Sequence, residues 1–156
     1  MKPINIVLVN PEIPQNTGNI SRTCAVTGAR LHIIKPIGFE ISDRTLKRAG
    51  LDYWDKLSVT YYDSYTDFLT KNEGAEMYYF SAHGNFSYAE IEYPDGVFLI
   101  FGRESVGLPR ELVEENIERS VRIPMLQDCR CLNLSNSVAV ATYEVLRQWN
   151  FEGFLK

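Results

Sequence analysis

Several features are scarce or missing in this chain of 156 residues, and each absence removes a class of protein. No apolar run approaches the roughly 18 residues that a membrane-spanning helix needs. The opening stretch, MKPINIVLVNPEIPQ, holds one lysine and a short apolar run. It lacks the longer apolar region and small-residue cleavage site of a secretory signal. The expected compartment is therefore the cytoplasm, with no membrane partner. Cysteines number only three, Cys24, Cys129 and Cys131. The Cys129-Arg130-Cys131 spacing is too tight for a zinc pair and has no second pair to join, so reduced thiols are expected. The two histidines, His32 and His83, are far apart and belong to no metal-binding motif, so no metal is expected. No G-x-G-x-x-G follows the first apolar run, and no P-loop is present. An ordinary dinucleotide-binding half and a phosphate-cradling NTPase are therefore disfavoured. Internal repeats, low-complexity tracts and convincing linkers are also missing.

What remains reads as one globular domain over 1–156, with 45% apolar and 23% charged residues. The net charge of -4 argues against bulk attraction to a polyanion but leaves room for a local basic face.

Apolar runs alternate with helical stretches along the chain. Runs 4–9 (INIVLV), 31–34, 59–62, 77–80, 97–101 (VFLIF) and 120–123 read as strands. Helices are expected over 20–27, stopped by Gly28, over 43–49, stopped by Gly50, over 65–70, after Pro109, and over about 133–149. In the last, Leu134, Val138, Ala141, Val145 and Trp149 fall near helical spacing and make an apolar face. This alternation predicts an α/β fold with a largely parallel sheet flanked by helices. Ligands of such sheets bind beyond the carboxyl ends of the strands. Four polar or Gly-bearing loops leave strands there: 10–19, 81–85, 102–109 and 124–133.

Three of these loops carry chemistry. In Asn16-Thr17-Gly18-Asn19-Ile20-Ser21-Arg22, Asn or Thr can cap the following helix and Gly18 lets the backbone approach a ligand. Arg22, about one turn into that helix, could grip a phosphate bidentately. The same residues also read as a capped helix with a solvated arginine. Gly102-Arg103-Glu104-Ser105-Val106-Gly107-Leu108-Pro109 is a Gly-bounded turn after a buried strand, with Glu104 placed to orient polar groups; it also reads as a plain strand-to-helix connection. The third stretch, Ile123-Pro124-Met125 followed by Cys131-Leu132-Asn133-Leu134-Ser135-Asn136-Ser137, also reads as a long cap but is more polar than one helix cap requires. His32 inside a strand reads as structural, and His83 in a candidate loop is by itself slight support for catalysis.

Together, in order and spacing, these segments resemble the motifs of the SPOUT, or trefoil-knot, RNA methyltransferases of the 2'-O-methylating branch. Pro11-Glu-Ile-Pro-Gln-Asn-Thr-Gly-Asn19, Leu31-His-Ile-Ile34 and Lys47-Arg-Ala-Gly-Leu-Asp-Tyr53 narrow the resemblance. They are similar to the small single-domain tRNA wobble-position 2'-O-methyltransferases (the TrmL/YibK group). The resemblance covers nearly the whole chain. It implies a knotted α/β fold in which the C-terminal segment threads through a loop, against the usual rule for chain connections. It implies a homodimer built on the first helix and the long C-terminal helix. It also implies S-adenosylmethionine as methyl donor and S-adenosylhomocysteine as product. The matching donor-binding positions are Phe80, Gly102, Ile123, Met125, Cys131 and Leu132, with Tyr143 on the long helix near donor and substrate.

The implied reaction is in-line attack of a ribose 2'-hydroxyl on the methyl of a sulfonium, which needs orientation and help with one proton. Arg22 matches the family's motif arginine. Because a guanidinium is a poor proton acceptor in proteins, its expected role is to grip the target phosphate and stabilise developing alkoxide charge. Asn16 and Asn19 would position the ribose and Arg22, Glu104 would orient Arg22 or the loop, and Asn133 and Ser135 would complete the pocket. Arg44, Lys47 and Arg48, next to Tyr53 and Trp54, suit the phosphates and unstacked bases of a tRNA anticodon stem-loop, though they also read as a solvated basic helix. Two other readings of the chain stand beside this one: a non-catalytic RNA-binding or assembly dimer, and a small-molecule enzyme using a nucleotide cofactor at the same strand ends.

Overall fold

The computed structural model describes residues 1–40 and 56–155. The basic stretch with Arg44, Lys47 and Arg48, together with Tyr53 and Trp54, lies outside the described residues. Seven strands form one sheet: β1 (Asn5–Val9), β2 (Arg30–Ile34), β3 (Val59–Tyr62), β4 (Met77–Phe80), β5 (Phe86–Ser87), β6 (Phe98–Phe101) and β7 (Ser120–Arg122). Their order is β3-β2-β1-β6-β4-β7-β5, and every pairing is parallel. Four α-helices are described: α1 (Pro14–Thr27), α2 (Tyr65–Lys71), α3 (Arg110–Glu115) and α4 (Leu134–Gln148). The expected α/β architecture is therefore the observed one.

A parallel sheet covered on both faces calls for strands apolar on both sides, and β1, buried along its whole length, is apolar from Ile6 to Val9. Ile6 and Leu8 join one core with Ile20 and Cys24 of α1 and Val138, Ala141 and Val145 of α4. Val7 and Val9 join the opposite core with Phe68 of α2 and Val113 of α3. Ile6, Val7 and Leu8 are fully enclosed, so each contributes about 1.5–3 kcal/mol by leaving water.

The edge of the sheet holds an unusual crossing. β4 and β5 lie on opposite sides of β7 and run parallel to it, yet only residues 81–85 join them. That segment strides across β7. Ser81 N donates to Val121 O at 2.9 Å and Asn85 N to Ser120 O at 2.9 Å. Gly84 sits so close to β7 that a Cβ there would stand 2.3 Å from the Val121 carbonyl carbon. The two-residue strand β5 carries too short a pattern to be seen as a strand beforehand.

The helix α1 departs from the sequence expectation. It begins at Pro14, six residues before the expected start at 20, and its N-cap is Ile13, whose side chain caps nothing. Asn16, Thr17 and Gly18 are therefore buried in the helix rather than forming a capping loop before it. Arg22 is the ninth helical residue, so about 12 Å of axis separates it from Pro14 at 1.5 Å per residue. The long helix α4 fits its expected limits within one residue at each end, with Asn133 and Trp149 as its caps.

Candidate active site

The missing cap of α1 comes from another part of the chain. Glu104, in the turn after β6, accepts the backbone N–H of Glu12 at 2.8 Å and of Ile13 at 3.0 Å. A carboxylate at a helix N-terminus satisfies orphan donors and meets the positive end of the dipole. The clamp is reciprocal, because the Glu12 carboxylate accepts from Ser105 N at 3.0 Å and Ser105 Oγ at 2.9 Å.

From Glu104 the hydrogen bonds continue inward. Asn16 Nδ2 donates to Glu104 Oε1 at 3.3 Å, and Asn133 Nδ2 donates to Asn16 Oδ1 at 3.0 Å. Asn133 Oδ1 in turn accepts from Ser135 N at 2.9 Å, Ser135 Oγ at 2.6 Å and Asn136 N at 3.3 Å, which caps α4. The three segments singled out in the sequence are thus tied into one network, with Asn16 only 5% exposed at its centre.

The turn that carries Glu104 is tight. Arg103 and Gly107 form a bridge, with Gly107 N donating to Arg103 O at 2.8 Å. A Cβ on Gly102 would stand 2.1 Å from both the Gly107 carbonyl carbon and the Leu108 nitrogen. Only glycine permits that approach.

The network forms one side of a cleft of about 740 Å³. Phe80, Gly102, Ile123, Met125, Cys131 and Leu132, expected to hold a donor, all line it, as do Asn16, Glu104 and Asn133. The cleft thus opens beyond the carboxyl ends of β4, β6 and β7. The Phe80 and Phe101 rings stack 4.7 Å apart at its base. Ser135 stands behind Asn133 and outside the lining. Asn19 and Arg22 are exposed on α1 and do not line the cleft of their own chain. Tyr143 is 48% exposed on α4, with its ring 6.4 Å from that of Phe151, and is likewise not part of the lining.

Some cleft residues were not singled out beforehand. Arg103 and Arg130 bring positive charge to the wall, and Arg103 Nη2 donates to Asn10 Oδ1 at 3.3 Å. Both sit inside segments that were read as functional, so a basic residue within such a loop was the available signal. His83 lines the cleft. His32 does not; it is buried against Tyr62, Phe68 and Phe98, as its structural reading requires. Among the described residues, no three His, Cys, Asp or Glu side chains gather as a metal cage would need, and no helix is long and apolar enough to cross a membrane.

Comparison with known proteins agrees with this geometry. A protein of Listeria monocytogenes serotype 4b, named as a candidate tRNA (cytidine(34)-2'-O)-methyltransferase, is 52% identical over 99% of this chain and 93% of its own length. The tRNA (cytidine(34)-2'-O)-methyltransferase of Escherichia coli K12 is 45% identical over 96% of both chains. A structure described as giving insights into 2-OH methylation of C/U34 on tRNA superposes with a TM-score of 0.90 at 43% identity, covering 97% of this chain and 99% of the other. An AdoMet-bound rRNA methyltransferase from Sinorhizobium meliloti superposes with a TM-score of 0.81 at 26% identity, covering 93% of this chain and 56% of the other. With the profile of the SpoU rRNA methylase family matching residues 3–143, nearly the whole framework of sheet, cleft and network, the chain belongs to that family.

Proposed function

We propose that the protein transfers a methyl group from S-adenosylmethionine to the 2'-hydroxyl of the wobble nucleotide, cytidine or modified uridine 34, of tRNA, with leucine isoacceptors as the substrates. The observation that carries the reading is the Glu104–Asn16–Asn133 network, which brings three motif segments to one cleft. The relatives named for the same reaction support cytidine 34 of tRNA as the target, and the family resemblance favours leucine isoacceptors.

The cleft suits the donor. Its volume falls within the roughly 300–1,000 Å³ common for small-molecule sites. Apolar walls from Phe80, Ile123, Met125 and Leu132 fit an adenine, and the backbone of Gly102, Cys131 and Leu132 supplies polar groups for it. Bound there, the donor would supply an electrophilic methyl on a positively charged sulfur.

The chain's own residues then have separable tasks. Glu104 holds the start of α1 and, through Asn16, the register of that helix against the cleft. Asn133 and Ser135 fix the start of α4. Arg22 grips the target phosphate and stabilises charge developing on the ribose oxygen, and Asn19 steadies the ribose beside it. Arg22 stands off the cleft of its own chain, which supports a homodimer whose partner completes the site. Val26, Val140 and Tyr143 leave apolar surface exposed on α1 and α4 and suit such an interface. The chain crossing at residues 81–85 supports the trefoil knot. Arg44, Lys47 and Arg48 complete the reading as the grip on the anticodon stem-loop. With a net charge of -4, bulk attraction does not hold the RNA; local ionic contacts with phosphates do, so its binding should weaken as salt rises, with a slope set by the number of phosphates held.

The test is methyl transfer from labelled S-adenosylmethionine to tRNA taken from a strain lacking this modification, with the nucleosides identified by mass. A 2'-O-methylated nucleoside mapping to position 34 is expected, together with S-adenosylhomocysteine. Arg22→Ala should abolish transfer while leaving donor affinity and the circular dichroism spectrum intact. Absence of both donor binding and transfer would overturn the enzyme reading.

A further inference from the structure

Methyl transfer as derived above uses no thiol, yet two thiols line the cleft. Cys129 and Cys131 are both exposed and both face the same cavity, with Arg130 between them. The third cysteine, Cys24, lies fully enclosed in the core, where burial pushes its thiol up to about 12. The chain therefore contains an accessible pair and a built-in enclosed control.

Geometry favours a bond between the pair. Residues two apart in sequence span at most about 7 Å even when extended. A disulfide needs Cα atoms about 4.4–6.8 Å apart, which a slight bend provides. A turn leads directly into the pair: Asp128 adopts a left-handed φ of 65°, and Cys129 N donates to Leu126 O at 3.4 Å. From Cys129 to the cap of α4 the chain belongs to no strand or helix, so no ladder resists rearrangement.

We propose that Cys129 and Cys131 form a dithiol site which a two-electron thiol oxidant converts into an intrachain disulfide, closing the donor cleft. Two S–H bonds break and one S–S bond forms. The two electrons and two protons pass to the oxidant; with diamide, its N=N bond becomes a hydrazine. A reducing thiol reverses the step by exchange. The small ring fixes the backbone of 129–131 and draws both side chains together, displacing the Cys131 and Leu132 backbone from the adenine position. This inference rests on the proposed function only for the identity of the ligand that is shut out.

The experiment uses the full-length reduced protein, freed of reductant and treated with diamide. Intact mass and peptide mapping report the thiols, and calorimetry reports affinity for S-adenosylhomocysteine. The expected result is a loss of two hydrogens confined to Cys129 and Cys131, with Cys24 still free. Affinity should drop at least about tenfold, the equivalent of one good hydrogen bond, and return with dithiothreitol. Cys129→Ser should form no intrachain disulfide and keep its affinity through the treatment. The proposal is overturned if the two thiols survive, if the bond joins Cys24 or two chains, or if the disulfide forms and affinity is unchanged. Reduced protein that binds no S-adenosylhomocysteine would instead refute the proposed function, and the dithiol site would then be judged on the mass alone.

Discussion

The polar network around His32 and the one around Asn16 differ in what surrounds them. His32, on β2, is enclosed by Tyr62, Phe68 and Phe98. The Asn5 amide spends its N–H groups on the carbonyls of Pro3 and Gly96, so its oxygen faces His32 Nε2 at 3.0 Å and accepts from it. Nδ1 then accepts from the Tyr62 hydroxyl at 2.8 Å, which itself accepts from Asn72 Nδ2 at 3.3 Å. Every ring nitrogen is used, and nothing is left for a ligand. The Glu104–Asn16–Asn133 network is just as fully bonded, but its members border a cleft. A titratable group walled in by aromatic rings stabilises a neutral state and the fold. A carboxylate that gathers two backbone N–H groups and an amide at a cavity wall positions whatever the cavity holds.

The sharpest way to break the cleft side is Gly102→Ala. The added methyl meets backbone on both sides rather than a movable side chain, so stability should fall by about 3 kcal/mol, seen in urea unfolding, and methyl transfer should vanish with it. Glu104→Ala comes next. It leaves the N–H groups of Glu12 and Ile13 without their acceptor, and a stability loss of about 2–3 kcal/mol is expected. Transfer should drop about 100-fold or more because Asn16 loses its anchor. Glu104→Gln, which keeps one acceptor oxygen, should recover part of both.

The histidine side responds to pH instead. Burial, followed by the nearby Arg30 charge, lowers the pKa of His32 to about 4. Between about pH 6.5 and 4 the unfolded chain binds a proton that the folded imidazole refuses. Stability is therefore full above about pH 6.5 and falls as pH drops through that window, by up to about 3 kcal/mol. Urea titrations at pH 7.5 and 5 check this, and His32→Gln should remove the difference between the two while sparing donor affinity. The smallest effect expected is that of Asn133→Ala, which removes the α4 cap and costs about 1 kcal/mol. Its weakened hold on Asn16 should appear more clearly in transfer rate than in melting temperature.

The strands were legible because burial on both faces writes continuous apolar runs, as in Met77–Phe80 and Phe98–Phe101. The α4 helix was legible because its cap, Asn133, is local. The start of α1 was not. Ile13 carries no capping group, and the carboxylate that does the capping is 91 residues away at Glu104. A local pattern holds no record of such a donor–acceptor pair. For the same reason Asn16 read as a loop residue before it was found enclosed inside a helix.

Residue order alone determined the alternation of strands and helices, the parallel sheet and the three polar segments at strand ends, because periodicity and caps act over a few residues. Tertiary structure decided the rest. It brought Glu104 to Asn16 and Asn133, passed residues 81–85 over β7 at Gly84, and set Arg22 and Tyr143 apart from the cleft of their own chain. Those outcomes depend on hydrogen bonds and close approaches between segments some 40 to 120 residues apart, and they exist only once the sheet has aligned the ends of its strands.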